Sequence, residues 1–285
     1  MMRRRFLGGS AAILAASAVP IAAQCQFTDV PFVPTPQVVV DEMLRLAAVR
    51  PNDVVYDLGS GDGRIVISAA RKFGAHAVGI ELDNHLIYQS EESARQANVL
   101  DRVKFLQQDF FKTDFSQATV VTLYLIPPVM RRLRERMLQL KPGTRLVAHD
   151  FDFDDWRSDA KTTIRKNVFL WIVPARASGR WQVRAALPGG DFVFEMELRQ
   201  KYQELDGFVR IDGQPGGLWE ARLEGDRLRF VVVDSRDRDN EATLYFEGRV
   251  TGTAMEGELV RGVGNEQRRL LWRATKTAEV APLKK

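Results

Sequence analysis

The sequence has few of the residues that hold metals or cross-link a chain. Its 285 residues include one cysteine, Cys25, and three histidines, His76, His85 and His149. A single cysteine excludes an intramolecular disulfide and a cysteine-based metal site. The histidines are scattered and show no ligand spacing. No metal is therefore expected.

The sequence also lacks a large excess of charge of one sign. Its net charge of +4 comes mostly from Arg3, Arg4 and Arg5. Without these three, 38 of the 41 basic residues remain against 37 acidic ones. So small a balance gives no overall field to attract a polyanion, and no nucleic-acid partner is expected.

Residues 1–23 have the pattern of a targeting segment. Three arginines precede a short apolar stretch rich in Gly, Ala and Ser, with small residues around Ala23. This pattern is typical of a signal peptide of the twin-arginine type, which exports folded proteins. We expect a periplasmic or exported protein; the alternative is a membrane anchor formed by an uncleaved N-terminus.

Strands and helices alternate through residues 24–176. The apolar patterns predict the helices and strands in turn: a helix from Val38 to Val49, then 54–58 (strand), 64–73 (helix), 77–81 (strand), 86–97 (helix), 103–106 (strand), 119–125 (strand), 129–140 (helix) and 144–148 (strand). Alternation at this spacing predicts an α/β domain with a mostly parallel sheet covered by helices on both faces.

The pattern changes near residue 177. Residues 177–278 contain short stretches of period two, separated by turn signals such as Asp206-Gly207 and Asp212-Gly213. These stretches predict a small antiparallel barrel or sandwich, with Trp181, Trp219 and Trp272 in its core. Residues 279–285 are expected to form a disordered tail.

The segment Asp57–Gly63, with the sequence Asp-Leu-Gly-Ser-Gly-Asp-Gly, is the most informative stretch. It places glycines between a strand and a helix, where a nucleotide-like ligand meets the carboxyl end of a sheet. The spacing is G-x-G-x-G rather than the G-x-G-x-x-G of dinucleotide sites. Its aspartates would repel a pyrophosphate but suit a cationic ligand without phosphate. S-adenosylmethionine is such a ligand, with Gly59, Ser60, Gly61 and Gly63 close to it.

Two further carboxylates follow the next two strands. Glu81 ends the second strand, at a spacing that suits hydrogen bonds from both ribose hydroxyls. Asp109 follows the third strand, where an acceptor for the adenine amino group would lie. Asp57, Glu81 and Asp109 are therefore predicted to bind the cofactor together with the glycine loop.

The sequence resembles the protein-lysine methyltransferases related to the enzyme that methylates the c subunit of mitochondrial ATP synthase. The resemblance spans nearly all of residues 31–156 and includes the glycine loop, which many methyltransferases share. Further matches are Gly79-Ile-Glu-Leu82, Asp109-Phe-Phe-Lys-Thr-Asp-Phe-Ser116 and Pro127-Pro-Val-Met130, and the more particular motifs are Pro31-Phe-Val-Pro-Thr-Pro36 and Phe151-Asp-Phe-Asp-Asp-Trp156. The resemblance implies a seven-stranded Rossmann-like fold and methyl transfer to a lysine amino group.

Three residues beyond the fourth and fifth strands are candidates for the chemistry. We expect the acceptor channel to be lined by residues 31–36, 124–128 and 149–150. Tyr124 could orient or desolvate the amine, and His149 or Asp150 could take its proton. The alternatives are packing for Tyr124 and a surface position for the other two.

Three functions remain open from the sequence. The first is methylation of a protein lysine. The second is methylation of a small or lipid-like molecule presented by the C-terminal β domain. The third is an exported binding protein that keeps the methyltransferase fold without turnover.

Overall fold

A computed structural model describes residues 32–187, 190–234, 236, 242–261 and 268–283. Residues 34–285 form one compact unit, and the other unit, 1–33, is described only at Phe32 and Val33. The predicted signal peptide, residues 1–23, and Cys25 lie outside the described residues. Among the helices that the structure describes, none is both long and apolar enough to span a bilayer.

The first part of the compact unit has the predicted alternation of strands and helices. Its helices are α1 (Gln37–Leu46), α2 (Arg64–Phe73), α3 (Asn84–Gln96) and α4 (Pro127–Met137). Its strands are β1 (Val54–Leu58), β2 (His76–Glu81), β3 (Val103–Gln107), β4 (Val120–Leu123), β5 (Arg145–His149), β6 (Ala160–Ile164) and β7 (Lys166–Ile172).

These strands form one sheet, sheet A, in the order β3-β2-β1-β4-β5-β7-β6. Strands β1 to β5 pair in parallel, whereas β7 is antiparallel to both of its neighbours. The prediction of an α/β domain with a mostly parallel sheet is confirmed. Because parallel strands end on the same edge, the residues after β1, β2, β4 and β5 meet there.

Helices α1 and α2 cover one face of sheet A. Val39, Val40, Met43 and Leu44 of α1 are fully buried against apolar residues of α2 and the strands. In α2, Ile65, Val66 and Ala69 recur at helical spacing and join the same cluster. This packing fixes the N-terminus of α2, which directly follows the glycine loop.

The second part contains a separate antiparallel sheet, sheet B. Its strands are β8 (Gly179–Leu187), β9 (Gly190–Lys201), β10 (Glu204–Ile211), β11 (Gln214–Gly217), β12 (Trp219–Glu224), β13 (Arg227–Asp234), β14 (Ala242–Thr251), β15 (Ala254–Arg261) and β16 (Arg268–Ala278). Their order is β11-β10-β9-β8-β16-β15-β14-β13-β12. The sheet curves until β10 lies near β12 and β11 near β13, so it is nearly closed.

Aromatic side chains fill the interior of sheet B. Phe246 stacks on Phe230 with ring centroids 4.6 Å apart, and Trp272 meets both rings edge-on. Trp181 and Trp272 are buried, as predicted. The core assignment of Trp219 was wrong, because its side chain is 59% exposed. Its ring instead lies over the backbone of Gly217, where any Cβ atom would come within 2.5 Å of Nε1.

The segment after β16 crosses the outside of sheet B. Residues 279–283 form neither helix nor strand, and the Leu283 N–H donates to the Gln200 carbonyl at 3.3 Å. The last two residues of the predicted disordered tail, 284 and 285, lie outside the described residues.

Candidate active site

The glycine loop joins β1 to α2 at the carboxyl edge of sheet A. Gly59, Gly61 and Gly63 all have positive φ angles, which side chains other than glycine's rarely adopt. The backbone N–H groups of Gly59 and Ser60 donate to the Ile80 carbonyl at 2.9 and 3.0 Å. The loop is thus tied to β2 and turns its backbone towards the edge of the sheet.

Asp57 is buried at the end of β1, and its side chain is hydrogen-bonded to β4. Its exposed fraction is 2%, and the Thr122 hydroxyl donates to Oδ1 at 2.6 Å. Burial raises the pKa of Asp57 to about 7, and the neighbouring carboxylates Glu81 and Asp62 add to the rise. A cationic group placed beside this carboxyl would favour its ionised form.

The Glu81 carboxylate holds the glycine loop and the turn after β2. Oε2 accepts from the Gly61 N–H at 3.0 Å, and Oε1 accepts from Leu82 at 2.7 Å and Asp83 at 3.1 Å. A carboxylate has about four acceptor positions, so one remains on Oε2. Glu81 therefore keeps acceptor capacity on Oε2 for the ribose, and the bonds from both ribose hydroxyls stay a prediction.

Asp109 and Ser60 lie on either side of this arrangement. Asp109 follows β3, and its Oδ1 accepts from the Phe111 N–H at 2.8 Å, while Oδ2 lies 3.7 Å from Lys112 Nζ. Ser60 is buried against Gly79, and its hydroxyl has no hydrogen-bond partner among the described residues. Asp109 thus keeps acceptor capacity on one oxygen.

The predicted acceptor residues after β4 and β5 form an aromatic wall. The Tyr124 ring lies 4.0 Å from the His149 ring and 6.2 Å from that of Phe151, onto which it stacks at 14°. Leu125 approaches the loop, 3.3 Å from where Gly59 would carry a Cβ atom. The wall and the cofactor loop therefore meet at the ends of β1 and β4.

The proline segment, residues 31–36, reaches this wall through Thr35. The buried Thr35 hydroxyl lies 3.2 Å from His149 Nδ1, and the Thr35 carbonyl accepts from Arg64 Nη1 at 3.0 Å. Arg64 also binds both oxygens of Asp62. One arginine thus connects the glycine loop to the described end of the proline segment.

His149 and Asp150 differ in their capacity to take a proton. His149 is 2% exposed, and burial lowers its pKa, with Lys166 acting in the same direction against Asp150. Nε2 of His149 has no hydrogen-bond partner among the described residues. Asp150 is paired with Lys166 Nζ at 3.0 Å. His149 is therefore neutral at pH 7, and the Asp150 carboxylate is already paired.

Sequence reasoning missed several residues that support the site. Thr122 donates to Asp57, and the buried Ser90 hydroxyl donates to the Gly61 carbonyl at 3.0 Å. The Phe105 ring fills the space where Gly63 would carry a Cβ atom. Only Thr122 carried a signal, as a polar residue within the apolar strand β4. In the parts of the chain that the structure describes, no group of three or more His, Cys, Asp or Glu could hold a metal ion.

Comparison with known proteins identifies the family. The ANTKMT methyltransferase domain family matches residues 57–160. A protein-lysine N-methyltransferase of Saccharolobus islandicus is 43% identical over 129 residues, covering 45% of this chain and 80% of that protein. The chain belongs to the family of S-adenosylmethionine-dependent protein-lysine methyltransferases. This confirms the family that the sequence motifs predicted.

Two further relatives cover about half of this methyltransferase. The ATP synthase c-subunit lysine N-methyltransferase of Rattus norvegicus is 35% identical, over 55% of this chain and 72% of its own length. A solved structure, titled an RNA methyltransferase from Salinibacter ruber in complex with S-adenosyl-L-homocysteine, is 51% identical with a TM-score of 0.50. It covers 50% of this chain and 95% of that chain.

Proposed function

We propose that this methyltransferase transfers a methyl group from S-adenosylmethionine to the Nε atom of a lysine in a protein. The observation that carries the proposal is the aromatic wall of Tyr124, His149 and Phe151 beside the glycine loop. The relatives named as lysine methyltransferases support the same acceptor.

The residues at the loop suit S-adenosylmethionine. Asp57, Glu81 and Asp109 offer carboxylates for an amino group, a ribose and an adenine amino group, respectively. The positive φ angles of Gly59, Gly61 and Gly63 allow close approach of a ligand to the backbone. When bound, the cofactor supplies a methyl group on a positively charged sulfur, and the sulfur keeps the electron pair of the broken S–C bond.

The aromatic wall would prepare the lysine for attack. A lysine amine must lose its proton before its lone pair can bond to carbon, and burial among apolar groups lowers its pKa. Because His149 has a lowered pKa and Asp150 is paired with Lys166, we assign the proton to water before the lysine is enclosed. In this proposal His149 positions Tyr124, and Tyr124 and Phe151 exclude water and align the amine.

The 51% identity to a structure titled an RNA methyltransferase favours RNA as a second acceptor class. The segment after β5 argues against it, since Asp150, Asp152, Asp154 and Asp155 bring four carboxylates to this edge. Three of them are paired with basic side chains, and Asp152 is exposed. The basic side chains at this edge are thus taken up by carboxylates, and no excess of positive charge remains there to attract a phosphate backbone.

The test is a methylation assay with methyl-labelled S-adenosylmethionine and the full chain. The acceptors are poly-L-lysine, a cell protein extract, free lysine and total RNA, and Gly61→Arg serves as the cofactor-site control. We expect label on poly-L-lysine and on lysine Nε atoms of extract proteins, none with Gly61→Arg, and micromolar binding of S-adenosylhomocysteine to the wild type. Label on RNA or on free lysine alone would replace the proposed acceptor, and binding without any transfer would favour the non-catalytic alternative.

We also propose export through the twin-arginine pattern at Arg3 and Arg4. Folding before export would let the cofactor bind in the cytoplasm, where it is made. Cell fractionation of the wild type and of an Arg3→Lys, Arg4→Lys double variant tests this. We expect periplasmic wild type and a cytoplasmic variant; equal distribution of the two would contradict export by this route.

A further inference from the structure

A turn of sheet B contacts the segment that leads from β5 to β6. We call residues 150–157 the exit loop, and Lys201–Gln203 the β9–β10 turn. The exit loop contains Phe151, which belongs to the aromatic wall, and the β9–β10 turn belongs to the sheet beyond the matched family region, residues 57–160.

The first contact is at Asp155. Its carboxylate accepts from the Tyr202 hydroxyl at 3.0 Å and pairs with Lys201 Nζ at 2.7 Å. Arg134 of α4 donates to the same carboxylate at 2.5 Å. These bonds lower the pKa of Asp155 to about 2, so the carboxylate is ionised at neutral pH.

The second contact is at Trp156. Its ring stacks on that of Tyr202, with centroids 5.4 Å apart and planes at 20°. Its Nε1 donates to Gln203 Oε1 at 2.9 Å, and Gln203 Nε2 donates to the Arg157 carbonyl at 2.6 Å. Gln203 therefore satisfies a side chain and a backbone group of the exit loop at once. Trp156 is 1% exposed, so Gln203 is the partner that satisfies its buried Nε1.

The exit loop connects these contacts to the aromatic wall. Trp156 packs on Phe153 at 5.4 Å, and Phe153 packs on Trp171 of β7 at 4.8 Å. Two residues earlier, the Phe151 N–H donates to the His149 carbonyl at 2.8 Å, across Asp150 with a φ of +65°. The exit loop is thus held at both ends, by β5 and by the β9–β10 turn, and Phe151 lies between them.

We propose that the β9–β10 turn is a positioning element for the acceptor side of the active site. It holds the exit loop so that Phe151 stays stacked on Tyr124, where the methyl acceptor would be aligned. The proposal rests on the proposed function for the identity of the acceptor. Sheet B would thus have a role in the reaction without binding a ligand in its interior. That interior is filled by side chains.

The experiment compares Gln203→Ala and Tyr202→Phe with Tyr245→Phe in the full chain. Tyr245 is half exposed on β14, and its substitution removes the same hydroxyl group from sheet B away from the exit loop. Three quantities are measured: amide hydrogen exchange of residues 150–157, the Kd for S-adenosylhomocysteine, and kcat/KM for poly-L-lysine. The melting temperature of each variant reports whether it is folded.

We expect Gln203→Ala to speed exchange across residues 150–157 and to lower kcat/KM about tenfold, because alignment is lost. Tyr202→Phe should have a smaller effect of the same kind, since Asp155 keeps Lys201 and Arg134. The Kd for S-adenosylhomocysteine should stay within about twofold in all variants, because the glycine loop is untouched. Tyr245→Phe should match the wild type in every measurement.

Unchanged exchange in Gln203→Ala would overturn the proposal, as would faster exchange with unchanged kcat/KM. If the wild type methylates none of the acceptors, the proposed function fails separately. The exchange of residues 150–157 then still decides whether the β9–β10 turn holds the exit loop.

Discussion

Asp57 shows how a single carboxyl can respond to its ligand. It is buried beside two other acidic residues, Glu81 and Asp62, and the Thr122 hydroxyl stabilises its charge. Its pKa of about 7 means that it is half protonated near neutral pH. A ligand with an ammonium group would favour the ionised form, so binding would release a proton.

The first prediction follows from that pKa. The affinity for S-adenosylhomocysteine should rise about tenfold between pH 6 and pH 8, since the ionised fraction rises by that factor around a pKa of about 7. Asp57→Asn should bind more weakly and lose this dependence. Calorimetric titration at several pH values measures both, and a parallel pH profile in the variant would contradict the assignment.

The same shift has a consequence for stability. The folded state binds the Asp57 proton more tightly than the unfolded state, whose pKa is near the ordinary 3.8. The contribution to the free energy of unfolding is therefore full below that value and is lost as pH rises through about 7. Asp57→Asn should remove this part of the pH dependence in urea titrations.

Gly63 provides a prediction about packing at the cofactor loop. Gly63→Ala would place a Cβ atom 2.8 Å from the Phe105 ring and 2.9 Å from Ser90, at a φ of +75°. We expect a loss of about 2–4 kcal/mol in the free energy of unfolding, from strain and overpacking together. Gly213→Ala is the matched control, because Gly213 has a φ of +78° but open space around it. Urea denaturation should give about 1 kcal/mol there, and equal losses would rule out the packing contribution.

At the scale of elements, the arginines of α4 tie the helix to its neighbours. Arg136 donates to the carbonyls of Phe110 at 2.6 Å and Thr113 at 2.7 Å, and it lies over the Phe115 ring. Arg134 binds the exit loop through Asp155, and Arg132 lies over Phe111. Helix α4 thus connects the segment after β3 with the segment after β5.

We predict that Arg136→Ala lowers the free energy of unfolding by about 1.5–3 kcal/mol, because two carbonyls lose a charged donor. Arg131→Ala on the same helix should cost less than about 0.5 kcal/mol, since its pair with Asp154 is exposed and 3.5 Å long. Chemical denaturation of both variants makes the comparison. Similar losses in both variants would mean that helix propensity, rather than the hydrogen bonds of Arg136, determines the change in the free energy of unfolding.

The elements with local signals were the ones that the sequence predicted. Helix α2 begins and ends as expected, because Gly63 and Gly74 flank it with positive φ angles. The resemblance implied a seven-stranded sheet, and sheet A has seven strands. No local pattern predicted β6 and β7, since Arg165, with a φ of +62°, replaces the usual glycine turn signal between them. No residue of β6 is fully buried, so its sequence carries only a weak apolar alternation.

The same distinction applies to the candidate site. The loop Asp57–Gly63 and Glu81 could be predicted because the residues after neighbouring parallel strands meet at one edge. The contact of Thr35 with His149 joins residues 114 positions apart, so no local pattern could reveal it. The bond between Gln203 and Trp156 is of the same kind, because it depends on how sheet B meets the exit loop.

At the scale of the whole molecule, the two sheets have separate cores. The interior of sheet B depends on stacked rings centred on Phe246, which contacts Phe194, Phe230 and Trp272. The cofactor loop depends on sheet A and its helices. A substitution in the core of sheet B should therefore leave cofactor binding at sheet A largely intact under native conditions.

We predict that Phe246→Ala lowers the free energy of unfolding by about 3–5 kcal/mol, because it leaves a cavity in an aromatic core. The Kd for S-adenosylhomocysteine at 25 °C should change less than about twofold. Tyr245→Ala, on the exposed face of the same strand, is the control and should cost less than about 1 kcal/mol. Loss of binding in folded Phe246→Ala would show that the cofactor loop depends on the core of sheet B.

The position of β16 governs the order in which this protein can assemble during synthesis. β16 lies between β8 and β15, so among the described strands it alone joins the half made of β8–β11 to the half made of β12–β15 by hydrogen bonds along the sheet. Sheet A is complete once Ile172 has been made, whereas sheet B must wait for Arg268–Ala278. On the ribosome, sheet A can therefore fold early, while the two four-stranded halves of sheet B remain unjoined and expose their apolar faces until the last strand arrives.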